Sequence, residues 1–155
     1  MRLYRAGLLG LCLAVVGCGG PAGRPLTKDD AAMAALGDVG ELYRLYTAEK
    51  RKPPTRTADF LPMQRMSPMG LRAIETGDVI VRFGASLPDT GEEPGQGPGD
   101  EVLAFQKDVP ASGGRVMMVD RTIRTMTPED FKTARLAGTA SSSASTGGKA
   151  KPKSR

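Results

Sequence analysis

Carboxylates are the side chains of this sequence with the clearest capacity for chemistry, because the chain contains no histidine. The absence of imidazole excludes Ser-His-Asp and Cys-His catalysis and the zinc sites that use histidine. Hard cations such as Ca²⁺ bind several oxygen ligands, and acidic residues gather in and beside a segment rich in Gly and Pro, residues 84–100. The candidate calcium ligands are therefore Asp89, Glu92, Glu93, Asp100 and Glu101.

The pattern of these acidic residues nevertheless argues against a metal site. Their spacing fits no EF-hand loop, and ordering a segment so rich in Gly and Pro costs much conformational entropy. We therefore expect residues 84–100 to form a solvated loop, and we predict no bound metal, no cofactor and no catalytic residue. Asp78 and Asp120 lie at predicted strand ends, where Asp commonly bonds the backbone of a turn, so a catalytic pair is not predicted.

Three methionines spaced three residues apart, Met63, Met66 and Met69, are a second candidate for chemistry because thioethers bind Cu(I). Met117 and Met118 fall inside a predicted strand, which indicates that this chain uses methionine to fill its core. The sequence therefore predicts that Met63, Met66 and Met69 pack in the core.

The first 17 residues have the order of charges and apolar residues that defines an export signal. Arg2 and Arg5 precede an uninterrupted run of apolar and small residues, 6–16, which is shorter than the roughly 20 residues that a membrane-spanning helix needs. A small residue, Gly17, then precedes Cys18. We interpret residues 1–17 as a removable signal peptide.

The box Val15-Val16-Gly17-Cys18 resembles the lipobox of bacterial lipoproteins. The resemblance implies that the Cys18 thiol receives a diacylglyceryl group and that the chain is cut just before it. Cys12 is a poorer lipid acceptor, because the bulky Leu11 precedes it. Gly19 and Gly20 follow Cys18, without the Asp that signals inner-membrane retention, so the resemblance implies the outer membrane, facing the periplasm. An ordinary secretory signal with a chance cysteine is the alternative.

The formal charge of +5 comes from the two ends of the chain. The signal peptide contributes two positive charges and residues 139–155 contribute four, so residues 18–138 carry a net charge of −1. A nearly neutral domain in an exported protein does not predict a nucleic-acid partner. The segment 139–155 is rich in small polar residues and is predicted to be disordered, able to bind an anionic envelope surface through its four cations: Lys149, Lys151, Lys153 and Arg155.

Periodicity and turn residues predict an α+β domain over residues 27–138, joined to Cys18 by a Gly/Pro-rich tether, residues 18–26. A long N-terminal helix should begin at the Thr27 cap and end before Pro53. It should pack on a small antiparallel sheet of three to four strands, followed by a short C-terminal helix and the disordered tail. The remaining predicted elements are a short helix at 68–76, strands at 79–83, 101–107, 115–119 and 122–126, and a helical turn or two at 131–136.

Three segments of the sequence carry a resemblance to known proteins. Residues 102–107, 113–120 and 126–131 look like segments of small exported proteins of planctomycete-type bacteria, and are similar to the C-terminal sheet of type II secretion pseudopilins. The pseudopilin pattern has an Asp-Gly turn, whereas here Arg121 follows Asp120, which makes a two-residue turn with positive φ less secure. Pseudopilins also keep a membrane helix with an acidic residue, so the resemblance implies a fold and a compartment and not a filament.

These features together predict a lipid-anchored interaction or structural module of the periplasm or cell envelope, with an unidentified protein partner and no enzymatic activity. The alternative is a carboxylate-based enzyme or a calcium-binding envelope protein. An enzyme would need polar groups from several elements to converge on one pocket. The arrangement of the folded residues therefore discriminates between the two classes.

Overall fold

The computed structural model describes residues 27–140, and the predicted signal peptide, the tether and most of the basic tail lie outside that range. The described residues form the α+β arrangement that the sequence predicts, with a long N-terminal helix, an antiparallel sheet and a short C-terminal helix. None of the helices between residues 27 and 140 combines the length and the hydropathy needed to cross a bilayer. The helices are α1 (Lys28–Lys50), a 3₁₀ helix (Thr57–Met63), α2 (Pro68–Glu75), α3 (Val109–Ser112) and α4 (Pro128–Thr133), and the strands are β1 (Val79–Phe83), β2 (Glu101–Gln106), β3 (Gly114–Met118), β4 (Ile123–Met126), β5 (Arg135–Leu136) and β6 (Thr139–Ala140).

The start of α1 is fixed by a capping box, as the sequence predicts. The Thr27 hydroxyl accepts a hydrogen bond from the Asp30 amide at 3.1 Å, and the Asp30 carboxylate accepts one from the Thr27 amide at 2.9 Å. Asp29, in the same turn, forms an ion pair with Arg115 of β3, with an N–O distance of 2.6 Å. The first turn of α1 is therefore held both by its own cap and by the sheet.

Strand β2 lies in the middle of the sheet, because β3 pairs with one of its edges and β1 with the other. The strand order is β4-β3-β2-β1-β6 with antiparallel neighbours, and the short β5 pairs in parallel with the start of β2. The register between β2 and β3 shifts between Val102 and Ala104. This bulge lets two consecutive residues, Leu103 and Ala104, both join the core beneath α1.

Helices cover the sheet on both faces. On one face, α1, α2 and the 3₁₀ helix pack around the Phe60 ring, whose centroid lies 6.0 Å from that of Tyr43 and 5.9 Å from that of Phe83. On the other face, α3 and α4 cover a smaller core, in which the Phe105 and Phe131 ring centroids are 4.7 Å apart. Such ring pairs contribute about 0.5–1.5 kcal/mol each beyond the burial of their area.

The end of the fold differs from the prediction. Helix α4 ends at Thr133, and Arg135–Leu136 form β5 instead of continuing the helix. The ladder between β1 and β2 begins at Ala104, so the backbone at Glu101–Val102 is available to pair with β5. Strand β6 then pairs with β1 and extends the folded chain to Ala140, past the predicted boundary at residue 138.

The three spaced methionines do not share one environment. Met63 is 4% exposed and belongs to the core, as predicted, but Met66 and Met69 are 61% and 49% exposed. The prediction of core packing is therefore wrong for Met66 and Met69. The reason is that α2 begins at Pro68 and turns only Leu71 and Ile74 toward the core as large apolar residues.

Helices α1 and α2 approach closely at Gly70. A Cβ atom at this position would lie 2.7 Å from the backbone nitrogen of Val39 and 2.7 Å from the Asp38 Cβ. The Asp38 carboxylate also accepts hydrogen bonds from the amides of Met69 (3.1 Å) and Gly70 (3.2 Å). A residue of α1 thus caps α2 across the interface, in place of the Ser67 side chain, which makes no cap bond.

We predict that Gly70→Ala lowers the free energy of unfolding by about 1–3 kcal/mol, because the added methyl group meets backbone that cannot move aside. Gly37→Ala is the matched control, since a Cβ there meets nothing within 4 Å and Ala is favoured over Gly in an exposed helix by about 1 kcal/mol. Urea unfolding of both variants measures the difference. Equal stability of the two variants would contradict the close contact.

Candidate functional site

Two charged residues are buried in the part of the chain that the structure describes, and they are neighbours. Asp120 is 7% exposed and Arg121 is 6% exposed, and both lie in the turn between β3 and β4. Burying a charge is costly unless it is paired or hydrogen-bonded. The contacts of this turn therefore define the candidate site.

The turn has the bonds of a three-residue hairpin loop. The Arg121 amide donates to the Met118 carbonyl at 2.9 Å, and the Met118 amide donates to the Thr122 carbonyl at 2.9 Å. Arg121 has a φ of 64°, in the left-handed region that favours glycine. The predicted two-residue separation of the strands is therefore replaced by a three-residue loop. A non-glycine residue in this conformation costs on the order of 1 kcal/mol, which its side-chain contacts must offset.

The Arg121 guanidinium group binds three consecutive carbonyls of the loop 84–100. Its Nη2 atom donates to the carbonyls of Gly91 (2.5 Å) and Glu93 (2.8 Å), and Nη1 donates to that of Glu92 (3.4 Å). Hydrogen bonds that involve a charged donor are stronger than neutral ones. The β3–β4 hairpin therefore anchors the centre of the loop through the Arg121 side chain.

We call the bonds from Arg121 to the carbonyls of residues 91–93 the clamp. Further hydrogen bonds hold the loop on either side of it. The Arg44 side chain of α1 donates to the Thr90 carbonyl at 3.3 Å, and the Gly95 amide donates to the Asp120 carbonyl at 2.8 Å. Glu41 orients the Arg44 guanidinium through two hydrogen bonds, and this pairing lowers the pKa of the Glu41 carboxyl below its usual value. The centre of the loop is solvated, as expected, since residues 91–98 are all exposed, and it is also anchored through its backbone to the body of the protein.

Tyr43 holds the root of the same loop. Its buried hydroxyl accepts a hydrogen bond from the Ala85 amide at 2.9 Å and can donate to the carbonyl of Ala85 (3.1 Å) or Arg82 (3.2 Å). Burial raises the pKa of Tyr43 to about 12. The hydroxyl therefore keeps its proton, and can donate a hydrogen bond, at alkaline pH values at which an exposed tyrosine ionises.

The five candidate calcium ligands do not meet at one point. The Asp89 carboxylate is 3.9 Å from the Arg121 guanidinium, whereas Glu92 and Glu93 face that guanidinium with their backbone carbonyls. Asp100 and Glu101 instead line a groove at the base of the loop, where Glu101 pairs with Arg135 at 2.8 Å. Within residues 27–140 no group of three or more acidic or cysteine side chains is placed to hold a metal ion. The carbonyl oxygens of residues 91–93 accept hydrogen bonds from the Arg121 guanidinium.

Asp78 and Asp120 lie at opposite ends of β2. Asp78 pairs with Lys107, just after the strand, at 2.8 Å, and this hydrogen bond lowers the pKa of Asp78. Asp120 lies beside the start of the strand, where its carboxylate accepts bonds from the amide and hydroxyl of Thr122. The two aspartates therefore have separate partners at opposite ends of the strand and do not form a pair.

Sequence reasoning missed Arg121, although a signal for it was present. Arg121 follows Asp120 at a turn position where glycine is usual, and this departure by itself predicts only a less secure turn. A long cationic side chain forced into a left-handed conformation beside an acidic Gly/Pro-rich segment can equally indicate a clamp. Cys18 and the four cations of the tail lie outside the described residues, so their roles stay predictions.

Comparisons with other proteins add no family to this description. No protein-family model, curated protein or solved structure matches the chain. The candidate site therefore rests on its own geometry, which is that of an ordered, solvent-facing loop held on a hairpin.

We predict that Arg121→Met loosens the loop, because three carbonyls lose their partner while the aliphatic part of the side chain is kept. The loss should be about 1–3 kcal/mol in the free energy of unfolding, with faster hydrogen exchange at the Gly95 amide. Arg135→Met is the control, since this arginine is 75% exposed and its ion pair with Glu101 is worth under about 1 kcal/mol. Unchanged exchange at Gly95 in Arg121→Met would show that the guanidinium does not hold the loop.

Proposed function

We propose that this protein is a lipid-anchored module of the bacterial cell envelope that presents the loop 84–100 to a partner away from the membrane. The observation that carries the proposal is the Val15-Val16-Gly17-Cys18 box, placed nine residues before Thr27. Thr27 is the cap of the first described helix, so a short tether would join the lipid to the domain. A nine-residue flexible chain has a root-mean-square span of about 17 Å, which keeps the domain near the bilayer.

The tether and the loop 84–100 belong to opposite ends of strands β1 and β2 in this proposal. The first turns of α1 lie beside the start of β1 and the end of β2, where Ala31, Val79 and Lys107 line a common groove. The loop 84–100 joins the opposite ends of these strands. Strand β1 has five residues and a length of about 17 Å. A domain tethered through α1 would therefore present the clamped loop on the side away from the bilayer.

The direction of β6 favours a second contact with the membrane. Strand β6 is antiparallel to β1, so the chain at Ala140 heads back toward the end of the sheet that carries the tether. Fifteen further residues follow Ala140 and include the four cations of the tail. As a flexible chain they would span about 20 Å, and each cation near an anionic bilayer contributes about 1 kcal/mol. We therefore propose that the tail reinforces attachment to anionic lipid head groups.

We predict that Cys18→Ser abolishes membrane attachment and leaves precursor that is uncleaved or slowly processed, because the thiol is both the lipid acceptor and the mark for processing. Cys12→Ser is the matched control and should be processed, lipidated and retained in membranes like the unmodified chain. Membrane fractionation and intact mass measure both properties. The proposal is wrong if the mature unmodified protein lacks the mass of a lipid.

We predict that the tail binds anionic vesicles without the lipid anchor. A chain of residues 19–155 should bind such vesicles at low salt, whereas a chain of residues 19–140 should not, and moderate salt should abolish the difference because it screens charges beyond about 8 Å. Replacing Lys149, Lys151, Lys153 and Arg155 by Gln is the control that removes charge but keeps the length. Equal vesicle binding by all three chains would show that the tail does not bind the membrane.

A further inference from the structure

An open groove lies where the described chain begins. It has a volume of about 360 Å³ and is enclosed by the first turns of α1, the end of α2 and the adjoining ends of β1 and β2. Its apolar lining consists of small side chains, including Ala31, Ala35 and Ala73, over the buried Val79. Alanines at these positions leave space that a larger apolar side chain could fill.

The capped start of α1 adjoins this groove. Thr27 is extended, with φ −78° and ψ 164°, and its capping box is complete. In a capped helix the residue before the cap commonly packs against the fourth helical residue, an arrangement called the hydrophobic staple. Here those residues are Leu26 and Ala31, and Ala31 lines the groove.

The sequence of the tether suits the same path. Proline at position 25 restricts the conformations open to residues 24 and 25 in the unfolded chain, so ordering this segment costs less entropy. The charged residues that line the groove are Lys28, Asp78, Lys107 and Asp108, and Asp78 is paired with Lys107. The exposed carboxylate of Asp108 is complementary in charge to Arg24. The ion pair of Asp29 with Arg115 links the first turn of α1, which lines the groove, to the sheet.

We propose that the last residues of the tether, Arg24-Pro25-Leu26, dock in this groove, with the Leu26 side chain against the alanines of α1 and α2. The contact lies within the polypeptide, and only its consequence for attachment rests on the proposed function. Docking leaves six free residues, 18–23, with a span of about 13 Å instead of about 17 Å for the whole tether. It also fixes which end of the domain faces the bilayer, which the display of the loop 84–100 requires.

Methyl NMR of the purified mature protein tests the docking directly. With labelled Ala, Leu and Val methyl groups, we expect nuclear Overhauser contacts from Leu26 to Ala31 and to Ala73 or Val79. Leu26→Ser should abolish these contacts and shift the Ala31, Ala73 and Val79 methyl signals. Leu61→Ser is the control, since Leu61 is 51% exposed on the 3₁₀ helix and does not line the groove, and it should leave those signals unchanged.

Other occupants of the groove give different results. Contacts from the groove methyls to acyl chains, or to a second copy in a sample of mixed labelling, without contacts to Leu26 would overturn the proposal. Unshifted groove signals in Leu26→Ser would overturn it as well. Intact mass of the same sample reports lipidation separately, so Leu26 contacts in a protein without lipid would support the docking and refute the lipid anchor.

Discussion

Strand β2 is packed on both faces and hydrogen-bonded along both edges, and the other elements take their positions from it. Leu103 packs in the core beneath α1 on one face of the sheet, and Phe105 packs against Phe131 of α4 on the other face. A central strand of this kind also separates its two ends. The start of α1 lies at the end of β2, while the clamped loop and the β3–β4 turn lie at its beginning.

Much of the fold could be predicted from local chemistry. Thr27 and Asp30 form the capping box of α1, the helix ends before Pro53, and the β-branched run of β1 forms a strand with the expected bounds. These features depend on residues that are close in sequence, and backbone preferences and side-chain periodicity are sufficient to determine them. The α+β class and the antiparallel sheet follow from the order of such segments.

The features that could not be predicted depend on contacts between distant residues. Strand β5 exists because β1 leaves the start of β2 unpaired, which no property of Arg135–Leu136 indicates. The candidate site is of the same kind, since Arg121 reaches carbonyls about 30 residues away and turns a Gly/Pro-rich loop into an anchored one. Composition measures the entropy cost of ordering a loop but not the contacts that offset it.

The clamp on the loop 84–100 engages main-chain atoms almost exclusively. Arg121 and Arg44 bind carbonyls, and Asp120 accepts from an amide, so the hydrogen bonds that hold the loop are indifferent to the side chains of Glu92 and Glu93. Glu92 and Glu93 are exposed, and their side chains can consequently be exchanged while the path of the backbone is kept. Such a loop could acquire new binding specificities by substitution at its surface alone, and it would serve equally as a scaffold onto which a foreign recognition sequence is grafted.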